Sequence, residues 1–599
     1  MTSGKNAIVR LLLAAKILNF QRSQIYNLPF IIYHIVASAV NYFCMKSVFR
    51  LLPHRSIPIS VKVFLLAFAL VAVSFLLQGN IGINLSDEGF LWYGTVRTAL
   101  GEVPIRDFQS YDPGRYYWGA VWFKIFGNDG LISLRISTAI FQSLGLTFGL
   151  LSLKRVIQSW WLLTVAGLIL LLWMYPNFYI FEPSMAMAAV YFAVLLIEKP
   201  SLIRHFIAGV FVGLSAFIGL NDALYTSVSF LLLIVFIWVK LDRNDIFRRA
   251  IAWSCGILVG YSSILVMLAV PGFFNSYVES IEFYFRTGET NLPLPVPFPW
   301  RVDYYKLNLI QATSAFIKGI LFLIFPIFNW SLIIYLLFLS RAKLGQKHLL
   351  IAATFVSLTY MHHAFSRADL EHLSSAIHPL LIGLISLASA FKFKFKQIGI
   401  RKIKPSSYSY QAQPGNERSE AQPRWTRFNK GLLFALLIAT LFSVGTAHPF
   451  YLKATAAPGQ YLKQNIINDS IWIDKDIANL IEKVGRINQQ LVLQNEGFLI
   501  APHWTTFYPI LQRQSPLWDI YFLFPETKER QKQMIEELNK KNVNWVILGD
   551  VPLDNRDELR FKNTHPLIWQ HLMQNFEVVE QTLPYNHQLL HRKTKAVAQ

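Results

Sequence analysis

Cysteine is nearly absent: two residues in 599, Cys44 and Cys255, both in apolar surroundings. That excludes a disulfide framework and leaves no metal-site spacing. Charge is scarce as well. Asp, Glu, Lys and Arg make up 15% of the chain, where a soluble domain carries about a quarter. Acid is scarcer than base, 35 residues against 56, for a formal net charge of +21. No basic run accompanies a nucleic-acid fold signature, so nucleic acid is not an expected partner. Lys and Arg gathering in cytoplasmic loops accounts for the excess. No internal repeat stands out. No cleavable signal is expected either, because the basic, amphipathic start lacks a small-residue cleavage site after a short apolar core.

What the chain has in abundance is apolar length. It is 53% hydrophobic, and its long apolar runs predict a polytopic α-helical membrane protein embedded in the lipid bilayer of a cell (inner or plasma) membrane. Residues 1–60 read as a basic, interfacial amphipathic segment, with 29–48 open as an extra span. A transmembrane domain follows over 61–448. Its spans, beginning with 61–78 and including 251–270 and 373–391, number about eleven by the ~20-residue rule. Basic loops alternate with carboxylate-bearing loops. This predicts a cytoplasmic N-terminus, a basic cytoplasmic loop at 392–430 and carboxylates on the outer side. From 449 to 599 the apolar runs shorten. Leu491-Val492-Leu493 and 544–548 read as buried strands and 527–540 as a charged helix, so an extracytoplasmic α/β soluble domain is expected.

The stretch between the first two spans, 79–129, is the richest in chemistry. It is too charged to lie in hydrocarbon and too aromatic for a free loop. Ser86 suits an N-cap, Gly101 a helix end, Asp112-Pro113-Gly114 a turn and Gly127 a second end. Two amphipathic helices on the membrane surface are therefore expected. Asp87 and Glu88 open the first. An adjacent acid pair there is a favourable helix start, a general base if partly desolvated, or a pair of oxygen ligands for a divalent metal.

The residues of this loop are Asp87-Glu88, Arg97, Gly101, Pro104, Asp107-Phe108, Tyr111, Pro113-Gly114 and Tyr116-Tyr117. In that order, just after a first span, they resemble the first external loop of GT-C membrane glycosyltransferases. The similar families are bacterial protein O-mannosyltransferases, aminoarabinose transferases and lipopolysaccharide-core transferases. The resemblance covers roughly 60–450 in layout. It implies a GT-C-like fold and a sugar donor carried on a polyprenyl phosphate. Transfer outside the cytoplasm would reach a glycan, glycolipid or protein acceptor. It also implies Asp87 as catalytic base, with Glu88 supporting it or a metal. Asp107 and Tyr111 would line the acceptor side.

Weaker matches lie elsewhere. Glu182, in the second external loop, corresponds to a cavity-lining acid of the family; an acid before Pro183 is equally a helix start. Arg367, Asp369 and His372 match an R-x-D-x-x-H arrangement. The resemblance implies Arg367 gripping the donor phosphate, which a guanidinium suits, with Asp369 orienting it. The neighbouring His362, His363 and Glu371 do not complete a standard zinc motif. Arg286, Arg301 and Lys306 serve either as interface anchors or as a further phosphate contact. Chains of the similar families often carry a Lys near Asn221-Asp222, and no Lys is present here. The expected reaction is a one-step inverting transfer. The competing readings are a transporter or flippase of lipid-linked saccharides, which needs polar residues within spans and broken helices, and a membrane scaffold with an external binding module.

Overall fold

The computed structural model describes residues 57–287, 291–345, 347–390, 427–493 and 496–593. Residues 1–56 of the expected segment 1–60, and most of the basic loop 392–430, lie outside the described residues. The chain divides into two units, 1–62 and 63–599. Of the first, residues 57–62 are described and are helical from Ile59. The second contains everything else.

Seven described helices are long and apolar enough to cross a membrane, or nine if each of two bent pairs is one span. Two shorter apolar helices, Trp160–Leu172 and Leu202–Ile218, accompany them. About eleven spans were expected; the long helices, the bent pairs and the two shorter apolar helices are the described candidates for them. The expected span 251–270 is two helices, Ile246–Gly260 and Ser262–Leu268, bent by 45°. The expected span 373–391 is likewise broken, Leu370–Ala376 meeting His378–Leu387 at 56°. Pro379 has no N–H for the carbonyl of the preceding turn, so the helix cannot run straight through.

Lipid exposure shows in α1 (Ile59–Gln78), where Val63, Ala67 and Val71 are buried on one stripe while Phe64, Phe68 and Leu77 stay exposed. An exposed apolar face of this kind belongs in hydrocarbon. Elsewhere helices approach closely through small residues. Gly209 and Gly213 face Gly256 and Gly260, and a Cβ on Gly209 or Gly256 would lie 2.1 Å from a backbone oxygen of the opposite helix. This is small-xxx-small packing on both partners.

The first loop holds the two expected helices, α2 (Asp87–Ala99) and α3 (Pro113–Phe126). Gly101 (φ +103°) and Gly127 (φ +63°) end them in left-handed conformations that suit glycine. The N-cap expectation is corrected. The Ser86 side chain makes no capping bond. Asn84 Oδ1 instead accepts from the N–H groups of Ser86 and Asp87, both at 2.8 Å. An Asn two residues earlier thus forms a turn that leads into the helix and satisfies the N–H groups of Ser86 and Asp87.

The C-terminal part carries the sheets. β1 (Tyr461–Ile466) and β2 (Asp469–Asp474) pair antiparallel, and β2 reaches the end of α1 through Gly82 N–H to Trp472 O, 2.7 Å. A four-stranded sheet runs in the order β3 (Gly497–Ala501), β4 (Val543–Gly549), β6 (His587–Arg592), β5 (Phe576–Leu583). β3 and β4 are parallel, joined by a crossover containing helix Lys528–Lys540. The strand expected at 491–493 is absent. Leu491 follows helix Lys475–Gln490, and Leu491 and Leu493 are exposed. The buried strand lies a few residues later, at Phe498–Ala501, where three apolar side chains precede Ala501.

Candidate functional site

The site is assembled at the start of α2. Asp87 Oδ1 accepts a hydrogen bond from the Tyr521 hydroxyl at 2.9 Å. Tyr179, in the second loop, presents its hydroxyl to the same carboxylate, and Arg367 and His372 lie within electrostatic reach. Burial raises the Asp87 pKa above the usual carboxylate range, and these four partners offset only part of it. A carboxylate poised this way suits proton transfer.

Glu88 turns the other way. Its two oxygens accept from Arg135 Nε (2.7 Å) and Nη2 (2.9 Å), and both residues are buried. Arg135 also donates to the carbonyls of Gly79 (2.9 Å) and Gly82 (2.8 Å). Glu88 is thus a strut tying the end of α1 to α2 and to helix α4 (Leu131–Leu153). The expectation that it supports Asp87 or a metal is not what the geometry provides, because its oxygens are already donated to. Among the described residues, no group of three or more His, Cys, Asp or Glu side chains is arranged to hold a metal ion. The donors of the Asp87-Glu88 pair do not fit one. Arg135 was overlooked because it sits inside an apolar run, although a charge there is itself a signal.

Tyr111 is brought towards Asp87, and Glu182 is linked to Tyr111 through Arg115. The Tyr111 ring packs edge-on against Phe90 (4.8 Å), and its hydroxyl meets Tyr179. Arg115 lies over the Tyr111 ring at 5.3 Å and pairs with Glu182 Oε1 at 2.6 Å. Behind it, Asp222 Oδ1 accepts from Tyr360 at 3.0 Å. Of the pair Asn221-Asp222, the acid therefore faces a tyrosine. Asp107 does not join this group. Arg106 grips it through Nε and Nη2, each at 2.8 Å, and Val103 N–H adds a third bond at 2.7 Å. The Arg106 bonds hold its pKa below the usual range. Its role here is to shape the loop. Asp107, Glu102, Tyr93 and Trp518 instead help line a separate polar cleft of about 560 Å³, which contains none of the groups around Asp87.

Arg367 follows helix His348–Ser366. Its Nε donates to Asp369 Oδ2 at 2.7 Å. Asp369 Oδ1 accepts from the His372 N–H (2.8 Å) and stands 2.9 Å from His372 Nδ1, so it caps helix Leu370–Ala376. Burial alone would raise the Asp369 pKa; His372 and Arg367 outweigh it and lower it. The expected trio is therefore one connected unit. Sequence reasoning missed its fourth member. Asp554, between β4 and β5, takes Arg367 Nη1 and Nη2 in a two-pronged pair, both at 2.7 Å. Asp554 and Asn555 both have positive φ (56° and 58°), a conformation these residue types tolerate. Of the remaining cations, Arg301 is exposed, lies over the Phe298 ring at 5.5 Å and donates to Val296 O. Lys306 pairs with Asp303. Neither contacts the Asp87 group among the described residues. The side chain of Arg286 lies outside the described residues.

The C-terminal part roofs the site along the length of α2. Thr506 donates to Asn84 O at 2.7 Å, Ser515 N–H to the Tyr93 hydroxyl at 3.1 Å and Gln514 to Glu102 at 3.1 Å. Gly89 permits the contact, because a Cβ there would lie 2.1 Å from Thr506 Oγ1.

Fold and site together define a multi-pass helical membrane protein. Its loops meet a C-terminal sheet region around a cluster of carboxylate, guanidinium and phenol groups. No protein-family model and no curated protein matches the chain. Solved structures similar to it include ArnT from Cupriavidus metallidurans bound to undecaprenyl phosphate (TM-score 0.46, 13% identity, 89% of this chain and 98% of that one). The Archaeoglobus fulgidus oligosaccharyltransferase in its apo form is another (0.42, 12%, 82% and 69%). A third is the archaeal oligosaccharyltransferase AglB from the same organism with an inhibitory peptide and a dolichol-phosphate (0.37, 12%, 82% and 69%).

Proposed function

We propose that this chain is a GT-C-type glycosyltransferase, moving a sugar from a polyprenyl phosphate to an acceptor hydroxyl on the outer side of the membrane. The N-terminus would then be cytoplasmic and the C-terminal region extracytoplasmic, as the distribution of basic loops supports. The observation that carries the reading is the convergence of Asp87, from the first loop, with the Arg367–Asp369–His372 unit, from a loop far along the chain. A proton acceptor and a cation suited to phosphate thereby lie within electrostatic reach of each other.

In the mechanism, the acceptor oxygen attacks the anomeric carbon and its proton passes to the Asp87 carboxylate. The bond from that carbon to the phosphate oxygen breaks, and the lipid phosphate leaves with the electron pair. One displacement inverts the anomeric centre. Arg367 would neutralise the leaving phosphate, an electrostatic contribution that removing one well-placed donor costs roughly 10²–10³-fold in comparable sites. Asp369 and His372 hold that guanidinium in place, and Tyr111 and Glu182 line the approach.

The test is Asp87→Asn. Transfer of labelled sugar to membrane acceptors should fall by roughly 10²–10⁴-fold, the usual share of a general base, with expression and membrane insertion intact. Retained turnover would remove Asp87 from the role. Labelled lipid-linked saccharide that crosses the bilayer without transfer would favour a flippase.

A further inference from the structure

We infer that the C-terminal region supplies a positioning residue to the catalytic centre: Tyr521, delivered by Gln109, sets the orientation and protonation of the Asp87 carboxylate. The inference rests on the reading of Asp87 as the base.

The delivery is built from backbone bonds. Gln109 Oε1 accepts from the N–H groups of Ile520 (2.9 Å) and Tyr521 (2.8 Å), and its Nε2 donates to Tyr521 O (3.2 Å). The Gln109 N–H donates to Trp518 O at 2.9 Å, and the Trp518 indole donates to Ile105 O at 2.9 Å. One loop glutamine therefore holds both the chain direction and the register of 518–521. Ile105 has φ +72°, costly for a β-branched residue. Its N–H donates to Ser110 Oγ at 2.8 Å and its carbonyl takes the indole, so neighbours on both sides hold the strained turn. Strain retained where a distant segment docks marks the loop as shaped to receive it.

The tyrosine itself is confined. Its ring packs on Phe90 (5.7 Å) and meets the His503 ring edge-on (5.5 Å), leaving the hydroxyl directed at Asp87 Oδ1. The groups facing Asp87 are Tyr521, Tyr179, Arg367, His372, Glu371 and Tyr111. Of these only Tyr521 comes from the C-terminal region. A phenol donating to a carboxylate stabilises its charged form and fixes which lone pair remains for the incoming proton.

The experiment uses purified full-length protein in detergent and needs neither donor nor acceptor. Dicyclohexylcarbodiimide modifies protonated carboxyls in apolar surroundings, so the pH at which Asp87 labels to half-extent, read by mass spectrometry, reports its protonation. Tyr521→Phe should move that midpoint upward by about one pH unit, the size of a hydrogen bond to a charged group. Gln109→Leu, which leaves the phenol but removes its tether, should move it the same way. Where transfer is assayed, turnover should fall with the donor KM held. Melting temperature separates this from simple loss of packing. An unchanged midpoint in both variants overturns the inference. Retained turnover in Asp87→Asn, together with a shifted Asp87 midpoint in Tyr521→Phe, overturns the base reading alone.

Discussion

Arg367 gives both terminal guanidinium nitrogens to Asp554, at 2.7 Å each, across a large stretch of chain. That carboxylate occupies the fork that a donor phosphate would need. Its Nε is already committed to Asp369, and Leu292 O takes a further Nη1 bond at 3.0 Å. A phosphate can therefore take the two-pronged Nη1/Nη2 fork of Arg367 only by displacing Asp554. We expect Asp554→Ala to bind undecaprenyl phosphate roughly tenfold more tightly than the parent protein, because displacement no longer taxes binding. Arg367→Ala should lose that binding. Native mass spectrometry or ligand-dependent melting would check both. Weaker binding in Asp554→Ala would instead assign the pair to structure.

The Glu88–Arg135 pair makes the opposite kind of prediction. Breaking a buried pair leaves an uncompensated charge, typically costing about 3–5 kcal/mol. Glu88→Gln should lower the melting temperature and the yield of folded protein. Replacing Glu88 and Arg135 together by Gln and Met should recover much of that loss. Equal melting temperatures for Glu88→Gln and the parent would refute the strut.

Asp87 should show the reverse of Glu88. Its pKa is raised in the folded protein because burial disfavours the charged form. Between the unfolded pKa and the raised folded one, the native state binds more protons than the unfolded state. Stability therefore falls as pH rises through that window and stays reduced above it. Asp87→Asn removes the burden, so its melting temperature at neutral pH should equal or exceed that of the parent, and the gap should close at acid pH. For the same reason transfer should fail on the acid side of the raised pKa, as the base becomes protonated.

Gly89→Ala tests the roof. The new methyl would lie within 2.4 Å of the Thr506 side chain and backbone, too close to absorb without displacement. Overpacking of this kind costs about 1–3 kcal/mol. Limited proteolysis should show faster cleavage within 496–593 while the membrane helices survive. Unchanged cleavage kinetics would mean the contact relaxes locally.

Local order decided much of this protein in advance. Apolar length marks most of the helices in the membrane part, and turn residues bound α2 and α3, because helix ends depend on neighbours within a few residues. Arg367, Asp369 and His372 are legible as a unit for the same reason: their bonds close over a span of six residues. The acid pair at 87–88 was legible as special but not as two different things. Adjacent helical residues point about 100° apart, and which side faced Arg135 and which faced Tyr521 depended on what packed there. Tyr521, Asp554 and Gln109 carry no local mark of their roles. Their partners lie far away in the chain, and only the folding of the C-terminal sheet region over the membrane loops brings those atoms within hydrogen-bond range. Arg135 is marked by its charge inside an apolar run, but its pairing with Glu88 is decided by how two helices pack.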